Sequence, residues 1–207
     1  MDRDIARALD EWKNAFPRKP LLLKGARQVG KTYALKDFGQ RQFSRFHYLN
    51  FEETKSLGNY FTGDLKPSLL LNQLQFHLNT EIDVQNDLLI FDEIQNCPGA
   101  LTSLKYFNEE MPDLAICAAG SLLGLSLTDD SFPVGKVTFL EIWPMSFLEY
   151  LKGLGENMLA QSLSDYSEGQ ILPEAAHEKL WEIWKTYLVV GGLPEAVKTF
   201  SAERGNL

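Results

Sequence analysis

Apolar positions along this chain fall into short blocks that alternate between two periods. Ile5, Leu9, Trp12 and Phe16 recur at helical spacing, so an amphipathic helix is expected over residues 2–15, closed by Pro17 and Pro20. Leu21-Leu22-Leu23 is a short apolar run, expected as a buried parallel strand, and a helix is expected over Thr32–Phe38 with Leu35 and Phe38 inward. Phe46–Phe51 predicts a second strand. Pro67–Leu78 predicts a helix with Leu70, Leu74 and Leu78 on one face and proline near its start, where it is tolerated. Further strands are expected over Asp87–Phe91, Leu114–Ala119 and Lys136–Glu141, with a helix over Gly99–Glu110 carrying Leu101, Leu104 and Phe107 inward. Strands that alternate with helices predict an α/β fold built on a parallel sheet.

The strands stop near Gly153. Pro173–Val190 is expected to be helical, with Leu180, Trp181, Trp184, Tyr187 and Leu188 on one face, and Gly153–Pro173, rich in glycine and polar residues, is expected to link the two parts. The closing Gly205-Asn206-Leu207 offers no terminal cap, and the chain reads as a piece of something longer.

The loop after the first strand carries the strongest chemical signal. Gly25-Ala26-Arg27-Gln28-Val29-Gly30-Lys31-Thr32 fits G-x-x-x-x-G-K-[ST] at every defined position. Glycines let the backbone curl so that successive N–H groups point at phosphate oxygens, and the following helix adds its positive dipole end. Lys31 is expected to reach the β- and γ-phosphates, and the Thr32 hydroxyl to ligate Mg²⁺, with Tyr33 completing the cofactor-binding segment. Leu88-Leu89-Ile90-Phe91 ends in Asp92-Glu93. There Asp92 is expected to hold the Mg²⁺ shell and Glu93 to act as general base on water, a role that many P-loop kinases do not need. Ser121, at the end of the next strand, either senses the γ-phosphate or caps the following turn. Glu52 and Glu53 read as a solvated strand end.

Composition narrows the field. The 207 residues are 44% hydrophobic and 23% charged, enough for one full domain and the start of a second. A net charge of −8 argues against a broadly basic face for nucleic acid. Cys97 and Cys117 form no CxxC pair, and His47, His77 and His177 lie on separate elements, so no metal cluster is expected. The acidic N-terminus is unlike a signal peptide, and the longest uncharged run, Leu114–Thr128, is too short and too polar for a membrane helix. A soluble cytoplasmic protein is the expectation.

These blocks together resemble a large group of prokaryotic AAA-type (AAA+) P-loop ATPases with a C-terminal domain of unknown function. The resemblance rests on Gly25–Thr32, on Phe91-Asp92-Glu93-Ile94-Gln95 and on Gly120-Ser121. Two further blocks are Trp143-Pro144-Met145-Ser146-Phe147-Leu148-Glu149-Tyr150-Leu151 and Tyr187-Leu188 through Gly191-Gly192-Leu193-Pro194-Glu195-Ala196. It implies a P-loop NTPase core of five mainly parallel strands, of the additional-strand type. The P-loop strand would be central, another strand would lie between it and the Asp92 strand, and Ser121 would be the sensor. It also implies ATP rather than GTP as nucleotide, the core occupying residues 1–152. Residues 153–207 would form a helical, lid-like region or the start of a truncated C-terminal domain. One departure is Gly135-Lys136, where the family commonly has Gly-Arg: either a γ-phosphate finger has lost its planar fork, or the position is structural.

The function expected is a Mg-dependent ATPase that couples hydrolysis to conformational change, with a protein partner or self-association possible. One alternative is a nucleotide-gated interaction module without turnover. A small-molecule kinase is disfavoured because Leu122–Gly135, where an arginine-rich lid would lie, has neither arginine nor lysine.

Overall fold

The computed structural model describes residues 3–121, 135–167 and 171–204, and these residues group into two compact units. The larger comprises Ile5–Ala26 and Lys31–Ile142; the smaller comprises Met1–Asp4, Arg27–Gly30 and Trp143–Leu207.

The larger unit is a parallel sheet with helices on both faces. In chain order it contains α1 (Ile5–Lys13), β1 (Leu21–Lys24), α2 (Lys31–Gln42), β2 (Arg45–Asn50), α3 (Pro67–Leu78), β3 (Asp87–Asp92), α4 (Pro98–Glu110), β4 (Ala115–Gly120) and β5 (Thr138–Glu141). The spatial order is β2-β3-β4-β1-β5, and every pairing is parallel. One strand, β4, does lie between β1 and β3, but β4 is the middle strand and β1 its neighbour. The physical signature is burial: β3 and β4 are buried at every position, whereas the edge strand β5 alternates.

Leu22, Leu49, Leu89 and Phe91 pack with α3 and α4 side chains such as Leu70, Leu74, Leu104 and Phe107 in one core. Phe51, Phe61 and Phe91 meet edge to face within it, at centroid distances of 5.5–5.9 Å. By strand alternation Leu21 and Leu23 face the other side, where α2 packs on the sheet and α1 packs on α2 through Trp12 and Phe38. An unexpected 3₁₀ segment, Lys55–Phe61, supplies Leu57 and Phe61 to the core.

The α1 expectation needs correction at its end. The helix stops at Lys13, and Phe16 is fully exposed rather than inward-facing. Phe16 precedes Pro17, and the proline ring disfavours helical backbone at the residue before it.

The smaller unit is helical: α5 (Phe147–Gly153), α6 (Asn157–Ser164), α7 (Glu174–Val190) and α8 (Pro194–Arg204). Its core joins Met145, Tyr150, Leu151, Leu159, Leu180, Ile183 and Val197. Two expectations change here. Gly153–Pro173 is not a bare linker, since it contains α6 with Leu159 and Ala160 buried. On α7, Leu180 and Ile183 point inward while Trp181 and Leu188 are more than half exposed, because adjacent helical residues diverge by about 100°. Trp184 and Tyr187 do share the inward side, where Phe147 meets the Trp184 ring at 4.9 Å. Trp143 and the whole of α5 group with these helices.

Candidate functional site

In a parallel sheet all carboxyl ends lie on one edge, and the chemistry-bearing residues follow directly from that. β1 and β4 run level, with Lys24 opposite Gly120, so the loop starting at Gly25 and the turn at Ser121 leave the same edge. β3 ends there too, at Asp92, with Asn50 of β2 beside it. Ligand sites of open α/β sheets form on this edge.

Gly25–Thr32 connects β1 to α2, and the helix begins at Lys31. The loop needs left-handed backbone twice, at Gln28 (φ 64°) and at Gly30 (φ 95°). Glycine adopts this at no steric cost; glutamine there is strained backbone of the kind that collects in functional loops. Lys31 is buried and its ammonium turns back to donate to the Gly25 and Ala26 carbonyls, at 3.0 and 2.7 Å. Tyr33, in the first turn of α2, is 61% exposed. Arg27, Gln28 and Val29 contribute backbone.

Asp92 is buried, and one of its carboxylate oxygens, Oδ2, accepts from the Thr32 hydroxyl at 2.6 Å and from the Tyr48 hydroxyl at 2.8 Å. The pairing expected from two motifs sixty residues apart is thus in contact. Two hydroxyls and a carboxylate form a hard-oxygen donor set of the kind that could hold Mg²⁺. Burial, and then the Asp92 carboxylate, push the Tyr48 hydroxyl far above its ordinary pKa, so it stays a donor. Lys36 lies over the Tyr48 ring at 3.4 Å.

Glu93 is itself in left-handed backbone (φ 51°), its N–H donating to Asp92 Oδ1 at 2.9 Å. Its carboxylate accepts from Gln95 Nε2 at 2.5 Å, while Gln95 Oε1 is buried with no partner among the described residues. Ser121 Oγ is likewise buried and unpartnered among them. Of the segment Leu122–Gly135, on which the absence of a basic lid was read, residues 122–134 lie outside the described residues.

Lys136 stands before β5, at the amino edge of the sheet, where it pairs with Glu109 at 2.9 Å. That edge is opposite the one Gly25 leaves from, so Lys136 does not reach phosphates held by its own chain. Glu52 and Glu53 are exposed as expected, their N–H groups donating to Asn50 Oδ1.

The two blocks of the smaller unit also meet. Met145 N–H donates to the Gly192 carbonyl at 2.6 Å and the Tyr187 hydroxyl to the Met145 carbonyl at 2.8 Å. A side chain at Gly192 would run into the Met145 backbone, which is why that position is glycine. Ser146 and Glu149 form a capping box at the start of α5. Glu149 is buried and also accepts from Arg3 Nε at 2.8 Å and Asp4 N–H at 2.9 Å. Burial would raise the Glu149 carboxyl, but Arg3 and these amides outweigh it and hold it below the usual carboxylate range. Sequence reasoning passed over Tyr48, Gln95, Arg3 and Glu149; only the Ser146-x-x-Glu149 spacing gave a readable signal.

Comparison with known proteins agrees with the fold. Residues 17–151 match the family described as AAA domain. The fold is similar to that of PCH-2 from C. elegans, at TM-score 0.53 and 15% identity over 94% of this chain and 58% of that one. It is also similar to Drosophila ORC bound to DNA, at TM-score 0.56 and 16% identity over 95% and 58%. The chain thus spans under three-fifths of the length of either. No curated protein matches its sequence.

Proposed function

The chain belongs to the AAA domain family, and from that premise we propose that it binds Mg-ATP at Gly25–Thr32 and hydrolyses it, coupling turnover to conformational change. The observation that carries the reading is the 2.6 Å contact between the Thr32 hydroxyl and Asp92, with Glu93 next in the chain. On this reading Lys31 leaves the Gly25 and Ala26 carbonyls for the β- and γ-phosphates, a charged acceptor displacing two neutral ones. Thr32 and Asp92 would hold Mg²⁺, which when bound would supply charge neutralisation at the phosphates. Glu93 takes a proton from the water that attacks the γ-phosphorus, the bond to the bridging oxygen breaks, and ADP and phosphate leave. Ser121 Oγ, buried and without a hydrogen-bond partner among the described residues, orients that water or senses the γ-phosphate.

One contact favours a second reading. Gln95 Nε2 holds the Glu93 carboxylate at 2.5 Å, and a base held this way supports a module that binds nucleotide without turning it over. The DNA in the ORC structure is a property of that protein, and the charge of −8 gives no support for it here. Phosphate release from Mg-ATP, compared between the protein and Glu93→Gln, separates the readings. Turnover abolished in the variant with ATP affinity retained supports the ATPase; tight binding with no release in either supports the module.

A further inference from the structure

Arg3 makes more polar contacts than any role in the ATPase reading requires. Its side chain is 9% exposed. Nε donates to Glu149 Oε1 at 2.8 Å, Nη2 to the Trp143 carbonyl at 2.6 Å, and Nη1 to the Val29 carbonyl at 3.0 Å. Val29 precedes Gly30 in the phosphate-binding loop, and the Arg3 guanidinium sits so close that a Cβ on Gly30 would be 3.6 Å from Nη1.

A peptide unit is planar and trans, so its C=O and N–H point in opposite directions. Fixing the Val29 carbonyl therefore fixes the Gly30 N–H on the other side of the same plane. Gly30 lies at φ 95°, and glycine has several accessible backbone wells, so this peptide can flip unless something holds it. We propose that Arg3 is a positioning residue for phosphate binding: by clamping the Val29 carbonyl it keeps the Gly30 N–H turned inward as a donor to the nucleotide. The proposal rests on the Mg-ATP reading of the loop.

The three contacts require a planar fork. Glu149 fixes the guanidinium from one side, and is itself fixed by the Ser146 and Asp4 amides, so the clamp is built from a rigid base. An ammonium cannot reach three acceptors in one plane. Arg3→Lys therefore keeps a cation beside Glu149 but releases Val29.

The test is equilibrium binding of fluorescent ADP and ATP analogues to the protein and to Arg3→Lys, with thermal melts alongside. The expected result is about tenfold weaker binding of both nucleotides by the same factor, in a protein that melts within a few degrees of the original. Equal loss follows because a main-chain donor in the middle of the loop serves a phosphate both nucleotides share. Unchanged affinity in a folded variant overturns the inference, as does loss confined to ATP, which would mean direct contact with the γ-phosphate. If the lysine protein melts far lower, Arg3→Gln combined with Glu149→Gln removes both buried charges at once and is read the same way. Failure of the unmodified protein to bind either nucleotide would overturn the Mg-ATP reading itself, and this inference with it.

Discussion

At Asp92 a single oxygen accepts two hydroxyls, and on the Mg-ATP reading proposed above these two would have different fates. Thr32 would turn its lone pairs to the cation, whereas Tyr48 could go on donating to the carboxylate and fix its orientation. Tyr48→Phe is therefore expected to raise the Mg²⁺ concentration for half-maximal nucleotide binding about tenfold, leaving metal-free ATP affinity unchanged. A Mg²⁺ titration of a fluorescent nucleotide measures both. Acid stability draws in part on another carboxyl. Glu149 is held below its ordinary pKa in the fold, so its contribution is full above about pH 4.3, the unfolded value. It is lost as pH falls through the lower folded value. Melting curves between pH 6 and 3 should fall less steeply for Glu149→Gln than for the unmodified protein. Asp92 and Glu93 were legible as acids closing an apolar strand. Tyr48 was not, because its hydroxyl matters only once β2 lies beside β3, a pairing invisible to local pattern.

Elements were legible wherever burial imposed a period. β1, β3 and β4 were expected within a residue or two because strands covered on both faces tolerate only apolar residues. α7 was found but its face was misassigned. Trp181 and Leu188 were grouped with Leu180 by hydrophobicity, although their angular positions put them outside. α6 was missed for the opposite reason, since only Leu159 and Ala160 of its eight residues are buried. The junction between Met145 and Gly192 shows how two motifs can be fixed by one contact. Gly192→Ala should destabilise the protein by about 2–4 kcal/mol, read as a lower denaturant midpoint, because backbone rather than a flexible side chain stands in the way.

Taken whole, the described residues contain no helix long and apolar enough to cross a membrane. Nucleotide should report on the molecule as a thermal shift. At about one hundred times its dissociation constant, ATP is expected to add about 2.7 kcal/mol of stability. GTP at the same concentration should add less if adenine is preferred, and equal shifts would remove that preference. The parallel order β2-β3-β4-β1-β5 carries a consequence for how the chain is made. β1 precedes the other four strands of its sheet in the chain, yet both its neighbours come late: β4 begins at Ala115 and β5 at Thr138. Leu21, Leu22 and Leu23 must therefore wait through the synthesis of three helices and two strands with their backbone groups unpaired. Until Ala115–Gly120 emerges, a nascent chain holds β2 and β3 but cannot yet seat the strand that carries its phosphate loop. On the reading proposed above, nucleotide binding would thus be a late event in the life of the newborn protein, with the three leucines exposed to chaperones until then.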